Sequence, residues 1–343
     1  MAKSRNKRRK KRRRLKAGIR RSIRQTLIML LTVVLTAGFF AYIALLIVLK
    51  GPSPTFSNMV VSTMWETRRG KAIVNAMFTD DEIEAILSKN SVDNSSTIAN
   101  VTEDDYGDFG IPESERNNID IVDVSGGTFK GKLMIVRDPS RIVLGVNSYM
   151  PGGSAGYSVQ DYVSNLGGLG GINGGGFDDP NGKGDGSIPQ GIVIKDSKIV
   201  FGSPSDYECL IGFNTADHLI VGNMTGQDAL DWGITDAVTF GPVLVYDGHA
   251  CQITGNGGGL NPRTIIGQRA DGAILLLVID GRQTTSLGAS YEDCIDIMLE
   301  NNAIVAANLD GGSSSVMYYN GEIINNVVSM NGERLVPTAW VVK

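Results

Sequence analysis

An uncharged stretch near the N-terminus constrains the chain more than any other feature. Thr26–Leu49, TLIMLLTVVLTAGFFAYIALLIVL, holds no charged side chain over 24 residues. As a helix with a rise of about 1.5 Å per residue, it would cross roughly 30 Å of hydrocarbon. A secretory signal is shorter and precedes a small-residue cleavage site, which Leu45–Lys50, LLIVLK, does not provide. We therefore expect an uncleaved transmembrane helix over residues 26–49.

Charge is distributed unequally on the two sides of this helix. Fourteen of the 32 Lys and Arg residues lie between Lys3 and Arg24, whereas none of the 36 Asp and Glu residues precedes Glu66. The positive-inside rule therefore predicts a basic cytoplasmic tail over 1–25 and an extracytoplasmic C-terminal domain. This is the pattern of a single-pass protein of the cell membrane. We expect the tail to bind anionic lipid, and we do not expect a nucleic-acid partner.

Residues 50–118 are predicted to be a helical stalk and a polar linker. Ser57–Lys89 has a helical pattern, in which Thr79 is a suitable N-cap because three acidic residues follow it and favour the positive end of the helix dipole. Ser91–Asn118 is rich in Ser, Asn, Asp and Gly, which is typical of a linker. We expect the helices to lift the following domain from the membrane; binding of a partner is the alternative.

From residue 119 onward the chain consists of short β-rich segments separated by Gly, Asn and Asp. Ser158–Leu166 and Ser290–Asn301 are the two segments here with a clear helical pattern. Many strands with few helices, in no strict alternation, predict an α+β fold. Its sheet should be mixed, largely antiparallel and curved around the helices. With three cysteines in the whole chain, the fold must depend on its core rather than on disulfides.

Two glycine-rich strand ends are candidates for a ligand site. Gly168–Asp179 reads GLGGINGGGFDD and Ala306–Ser315 reads AANLDGGSSS. Asn308 and Asp310 are two residues apart, so on a strand both would face the same side. Free backbone amides in such segments can bind an anion. Each segment could instead be an ordinary tight turn.

Arginines lie near the ends of other strands. Arg282 follows a very apolar strand in IDGRQ, Arg263 lies in NPRT, and Arg334 lies near the C-terminus. Arginine suits bidentate binding of phosphate, although a surface ion pair is the ordinary alternative. His218 and His249 are the only histidines, and neither is placed like a catalytic base. Proton transfer would therefore be carried out by carboxylates.

Five motifs occur in an order that resembles the phosphodiester glycosidase family, whose members remove a sugar linked through phosphate. They are GINGGGFDD, TFGPVLVYDG, NPRTIIGQRADGAILLLVIDGR, SLGASYEDCIDIMLENNAIVAANLDGGSSSVMYYNGEIIN and ERLVPTAWVV. The resemblance places the family's domain at 119–343. It implies hydrolysis of a sugar-1-phosphate diester, with an N-acetylglucosamine-like sugar, in a cell-surface glycan or wall polymer.

The short basic tail and the few cysteines fit a bacterial cell surface. Two alternatives stay open. One is a phosphodiesterase or transferase of exopolysaccharide metabolism, since a fold does not fix a function. The other is a non-catalytic surface protein that binds glycans.

The family's motifs also imply site residues. We assign the phosphate to Arg282 and Arg263, assisted by the amides and hydroxyls of residues 312–314, and we assign orientation of the sugar to Asn173 and Asp178. The expected catalytic residues are Asp310, Asp280, Arg282 and Asn173. The expected substrate-binding residues are Arg263, Thr264, Gly174, Gly175, Asp178, Gly241, Asn308, Gly311, Gly312, Ser313, Ser314 and Arg334.

No cofactor is required by this assignment. A divalent cation such as calcium is an open alternative, held by Asn173 and Asp178 or by the loop at 179–187, DPNGKGDGS. The carboxylates of that loop do not follow EF-hand spacing.

Overall fold

The computed structural model describes residues 2–89, 92, 109–147, 155–178, 185–255, 258–328 and 332–343, without the side chains of 2–15, 17 and 68. The chain divides into two compact units, residues 1–57 and residues 58–343. The described residues form seven α-helices. They are α1 (Ala2–Lys50), α2 (Pro54–Trp65), α3 (Arg68–Met77), α4 (Asp80–Ser88), α5 (Val159–Leu166), α6 (Gly226–Asp231) and α7 (Tyr291–Glu300).

The first unit consists mainly of α1. Its part Gly18–Lys50 is long and apolar enough to cross a membrane, a property that membrane anchors and signal sequences share. Large apolar side chains such as Leu27, Val34 and Phe40 are exposed along it, as expected of a helix whose surroundings are apolar. The segment predicted to span the membrane, 26–49, lies inside this helix.

The helical pattern of 57–89 corresponds to α2, α3 and α4. Thr79 caps α4 as predicted: its hydroxyl accepts a hydrogen bond from the amide of Glu82 at 3.3 Å, and the Glu82 carboxylate accepts one from the amide of Thr79 at 2.9 Å. This is a reciprocal capping box. Most of the linker predicted to follow, 93–108, lies outside the described residues.

The second unit contains the strands. They are β1 (Ile119–Ser125), β2 (Lys130–Val136), β3 (Ile142–Val146), β4 (Gly170–Asn173), β5 (Phe177–Asp178), β6 (Ile188–Pro189), β7 (Val193–Lys195), β8 (Lys198–Phe201), β9 (Tyr207–Asn214), β10 (Leu219–Thr225), β11 (Ile234–Thr239), β12 (Val243–Tyr246), β13 (His249–Ala250), β14 (Arg263–Arg269), β15 (Ile274–Ile279), β16 (Ala303–Leu309), β17 (Met317–Tyr319), β18 (Glu322–Ile323) and β19 (Thr338–Val342).

These strands form three larger sheets and one hairpin. The seven-stranded sheet has the order β1-β2-β15-β14-β16-β12-β13. The five-stranded sheets have the orders β10-β9-β11-β7-β8 and β18-β17-β4-β19-β3, and β5 pairs with β6. All pairings between these named strands are antiparallel. The predicted α+β fold with largely antiparallel strands is therefore confirmed, with its strands divided among several sheets.

Strand β15, ILLLVI, shows how the core is organised, because it is buried on both faces. Ile274, Leu276 and Val278 belong to one apolar cluster, which also contains Trp340 of β19. The alternate residues of β15 belong to a second cluster, together with Met298 and other residues of α7. Since side chains alternate along a strand, the seven-stranded sheet separates two core layers and is rigidly held from both sides.

Both helices expected in this region are present, as α5 and α7. The short helix α6 was not predicted from the sequence. It is six residues long, too short to show a helical period, and Thr225 caps it by bonding to Asp228. All three cysteines are free thiols, and Cys294 is buried in α7.

Candidate active site

The pairing of three central strands brings distant motifs to one edge of the seven-stranded sheet. Strand β14 begins at Arg263, which lies opposite Ile279 at the end of β15. The next residue, Thr264, lies opposite Leu309 at the end of β16. The beginning of β14 and the ends of its two antiparallel neighbours therefore meet. The arginine of NPRT, the IDGR segment and the LDGG segment share this edge, although up to 47 residues separate them in the chain.

A cavity of about 270 Å³ opens at this edge. More than half of the predicted site residues line it. They are Asp310, Arg282, Arg263, Gly241, Asn308, Gly311, Gly312, Ser313 and Arg334. Four residues of the sequence motifs that were not assigned a role also line it, namely Phe240, Asn261, Pro262 and Tyr291, and so does Glu66.

Arg263 is held rigidly in the cavity wall and is only 3% exposed. Its Nε donates to the carbonyl of Ala289 at 3.2 Å, and its Nη2 donates to the carbonyl of Gly259 at 3.0 Å. The guanidinium lies 4.0 Å from the centre of the Tyr291 ring, a distance typical of a cation–π contact. With its position fixed by these contacts, Arg263 supplies a preorganised positive charge at the cavity.

Arg282 is held in an unusual backbone conformation, with a φ of 55°. Its Nη2 donates to Oδ1 of Asn261 at 3.0 Å, whereas its buried Nε has no hydrogen-bond partner among the described residues. Burial lowers its pKa. Gly312 packs so closely that a Cβ there would lie 3.1 Å from Nη1 of Arg282. A strained residue with an unused donor beside a cavity is a good candidate for binding an anion.

Arg334 is the third cationic residue of the cavity. Its Nη1 donates to the hydroxyl of Ser313 at 3.2 Å. Its guanidinium lies 4.6 Å from the centre of the Phe177 ring. Three arginines from three separate segments therefore surround one small volume, which favours a substrate with negative charge.

Asp310 is the carboxylate at the end of β16. Burial raises its pKa to about 6, despite the opposing effects of the Ser314 hydroxyl and of the Arg334 charge; the nearby charge of Glu66 adds a smaller increase. A carboxyl group with a pKa of this size can hold or release a proton near neutral pH. Asp310 is thus suited to proton transfer in the cavity.

The asparagine–glycine motif supports Asp310 from behind, which corrects the expected placement of Asn173, Gly174 and Thr264 at the ligand. Asn173 is fully buried; its Nδ2 donates to the backbone carbonyl of Asp310 at 2.6 Å, and its Oδ1 accepts from the Thr264 hydroxyl at 2.9 Å. The carbonyl of Gly174 accepts from the amide of Asp310 at 3.2 Å. These residues do not line the cavity and instead position the end of β16.

Gly174 and Gly175, which were expected to bind the substrate, lie against protein atoms and do not line the cavity. A Cβ at Gly174 would lie 2.5 Å from the Thr338 hydroxyl, and one at Gly175 would lie 2.8 Å from the carbonyl of Thr239. Strands β19 and β11 thus require glycine here. The run of glycines is explained by strand packing.

Asp280 also differs from its predicted position. It is 5% exposed and does not line the cavity. Its carboxylate accepts hydrogen bonds from Nδ2 of Asn325 at 3.2 Å, from the amide of Asn326 at 2.8 Å and from Nδ2 of Asn326 at 2.9 Å. These hydrogen bonds fix the loop that carries Arg282. Because they occupy most of the acceptor sites of the carboxylate, it has little capacity left to bind a substrate.

Two further predicted residues lie outside the cavity lining. Asp178 is exposed, and its carboxylate accepts from Nε2 of Gln190 at 3.1 Å. Ser314 is buried beneath Asp310 and hydrogen-bonds its carboxylate. Within the described part of the chain, no group of three His, Cys, Asp or Glu side chains could hold a metal ion. Most of the suggested calcium loop, 179–184, lies outside the described residues.

Glu66 is the lining residue that no sequence pattern indicated. It lies between α2 and α3, in the segment predicted to be a stalk, and 197 residues separate it from Arg263. No local motif marks it, because only the packing of this segment beside the cavity gives it a place there. Asn261 and Tyr291, by contrast, lie within the quoted motifs and could have been included.

The structure is that of an α+β protein with a cavity lined by three arginines and two carboxylic acid residues. The family model for phosphodiester glycosidases matches residues 167–343, just over half of the chain. The chain belongs to the phosphodiester glycosidase family, as its motifs predicted. Its domain is accordingly of the kind that acts as a glycosidase on sugars in phosphodiester linkage.

Two similar proteins place this result in context. The SPbeta prophage-derived uncharacterized protein YomE of Bacillus subtilis strain 168 is 31% identical over 147 residues, which are 41% of this chain and 22% of that protein. The chain thus spans about a fifth of the length of this relative.

Among solved structures, the chain is similar to the zebrafish N-acetylglucosamine-1-phosphodiester alpha-N-acetylglucosaminidase catalytic domain, auto-inhibited by pro-peptide. That likeness has a TM-score of 0.53 and 21% identity, and it covers 66% of this chain and 82% of the zebrafish chain. It shows that the two share a fold.

Proposed function

We propose that this protein is a membrane-anchored, extracytoplasmic hydrolase that cleaves a sugar-1-phosphate diester, with an N-acetylglucosamine-like sugar, in a bacterial surface glycan or wall polymer. The observation that carries the proposal is the cavity in which Asp310 lies among Arg263, Arg282 and Arg334. A phosphodiester carries one negative charge, which the positively charged arginines attract. Family membership supports the same substrate class.

The roles follow from the contacts. The unused Nε of Arg282, together with the fixed guanidinium of Arg263, binds the phosphate and stabilises the charge that develops on it when the bond to the sugar breaks. Asp310, with its raised pKa, exchanges a proton at the reacting bond. The Oδ1 of Asn308 is buried, lines the cavity and has no partner among the described residues, so it accepts a hydrogen bond from the sugar.

The proposed location rests on α1. The basic residues before the apolar segment favour a cytoplasmic N-terminus by the positive-inside rule, and anionic lipid is the expected partner of that tail. The domain after α1 is then extracytoplasmic, where phosphate-linked glycans are accessible. A protease-accessibility experiment on intact cells that express the chain, with a tag at each end, tests this: only the C-terminal tag should be removed.

The activity is tested with the full-length protein in detergent. It is incubated with UDP-N-acetylglucosamine and with simple N-acetylglucosamine-1-phosphate diesters, and the products are identified by mass spectrometry and phosphorus NMR. Water enriched in oxygen-18 shows which bond breaks. Label on the sugar hydroxyl means cleavage between carbon and oxygen, as a glycosidase requires; label on the phosphate means a phosphodiesterase and contradicts the proposal.

Two further arms make the experiment decisive. Parallel reactions with a chelator or with added calcium test the expected alternative of a divalent cation. The variant Asp310→Asn should lower turnover by about 1,000-fold, whereas Asp296→Asn, which changes an exposed aspartate of α7, should leave it unchanged. If several sugar phosphodiesters bind measurably but none is hydrolysed, the protein is a glycan-binding protein and the hydrolase proposal fails.

A further inference from the structure

The helical segment α2–α3 contributes a carboxylate to the candidate active site. Glu66 is one of the two residues between these helices, and it lines the cavity that contains Asp310 and the three arginines. The segment is attached to the cavity wall close by. The amide of Leu260 donates to the Thr63 hydroxyl at 2.9 Å, and Val61 is fully buried. Glu66 therefore has a defined position, although it belongs to a region that resembles a simple stalk in sequence.

Glu66 is close enough to the other charged groups to affect them. Burial lowers the pKa of Arg282 and the negative charge of Glu66 opposes that shift, whereas for Asp310 the charge of Glu66 adds to the increase in pKa that burial causes. It also lines a second cavity of about 250 Å³, whose wall includes Leu87, Val92 and Tyr291. Glu66 thus lies where two cavities adjoin, a suitable place to act on a bond between two parts of a substrate.

Hydrolysis of a glycosidic bond ordinarily uses two carboxylates. Asp310 is one, but Asp280 is surrounded by Asn325 and Asn326 and does not reach the cavity. Among the described residues that line the main cavity, Glu66 is the other carboxylate. It is exposed to solvent, as a group that must contact a water molecule should be.

We infer that Glu66 is a catalytic residue and the general base of the hydrolysis, an inference that rests on the proposed function. Glu66 accepts one proton from a water molecule while the water oxygen bonds to the anomeric carbon. The bond from that carbon to the phosphate oxygen breaks, and its electron pair stays on the phosphate, which accepts a proton from Asp310. The products are the free sugar and a phosphomonoester. Afterwards the proton on Glu66 returns to Asp310 through solvent.

The test compares Glu66→Gln with Glu84→Gln in the full-length protein. Glu84 is an exposed glutamate of α4 that lines neither cavity. Removal of a general base should lower kcat by about 100-fold or more, with a small change in KM, whereas Glu84→Gln should match the wild type. Since Glu66 is exposed, both variants should have the wild-type melting temperature.

Chemical rescue separates a base from a residue that only shapes the site. Sodium azide, a nucleophile that needs no deprotonation, should restore turnover to Glu66→Ala and give the sugar azide as product. A purely structural role would not show this rescue.

The experiments distinguish failure of the role of Glu66 from failure of the proposed function. If the wild type releases no sugar, the proposed function fails, and the role of Glu66 fails with it. If the wild type is active and Glu66→Gln is equally active, only the role of Glu66 is overturned. A variant faster than the wild type would also overturn it, because the segment would then be blocking the cavity.

Discussion

Two Asp-Gly pairs follow the two strands that flank β14 in the same sheet, yet their surroundings differ. Asp280 follows β15 and Asp310 follows β16, on either side of β14. The Asp280 carboxylate accepts three hydrogen bonds from Asn325 and Asn326. The Asp310 carboxylate lines a cavity beside arginines and has a raised pKa. The same dipeptide thus serves structure in one place and candidate chemistry in the other.

The two aspartates differ because a segment from later in the chain packs against Asp280. Asn325 and Asn326 follow β18 and cover the end of β15, so that hydrogen bonds from amide groups stabilise the charge of Asp280. The end of β16 is instead held through its backbone by Asn173 and Gly174. The side chain of Asp310 is therefore free to line the cavity. Substitutions at the two positions should have different consequences.

The largest effect is expected from Asp310→Asn. Loss of the ionisable group should lower kcat of the full-length protein by about 1,000-fold. Its melting temperature should stay close to that of the wild type, because asparagine is isosteric and brings no buried charge. Steady-state release of sugar, measured beside thermal unfolding, checks both points. Retained activity in a folded variant would show that Asp310 is not the catalytic carboxylate.

Asp280→Asn should act on stability. The amide group would turn a donor towards the donors of Asn325 and Asn326, so we expect a loss of about 2 kcal/mol, or roughly 5 °C in melting temperature for a domain of this size. Differential scanning fluorimetry measures the shift. At a low temperature, at which Asp280→Asn is still folded, the variant should keep most of its turnover. Full loss of activity with unchanged stability would remove the distinction between the two aspartates.

The raised pKa of Asp310 predicts a dependence of stability on pH. Its folded value of about 6 exceeds the ordinary 3.8, so between these values the folded state holds a proton that the unfolded state has released. The contribution of this group is present below about pH 4 and is lost as the pH rises to about 6. Melting temperatures of the wild type and Asp310→Asn should therefore converge or cross over this interval, and parallel curves would contradict the assignment.

The smallest effect is expected from Asn326→Ala. This change removes one of the three hydrogen bonds to Asp280, from Nδ2 to Oδ2 at 2.9 Å, and leaves the backbone bond in place. Because Asn326 is exposed, water can replace the lost donor, and we expect a loss of about 1 kcal/mol. Chemical denaturation in parallel with Asp280→Asn would test whether the two changes share one interaction, since their effects should then not add.

Local patterns predicted a large part of this protein. The uncharged stretch at 26–49, the cap at Thr79 and the helix α7 are each determined by neighbouring residues, through apolar periodicity and hydrogen bonds of short range. The strand ends that carry Arg263, Arg282 and Asp310 were recognisable in the same way, as polar residues after apolar runs. The order of five motifs predicted the family.

Tertiary structure alone decided how those residues are used. Alternation along a strand determines which side chains share a face, but it does not say which distant segment covers the strand's end. Asn325 and Asn326 cover Asp280, Asn173 lies behind Asp310, and Glu66 enters the cavity from a segment about 200 residues away in the chain. These contacts join residues far apart in sequence, so they depend on the packing of the whole unit, which no local pattern records.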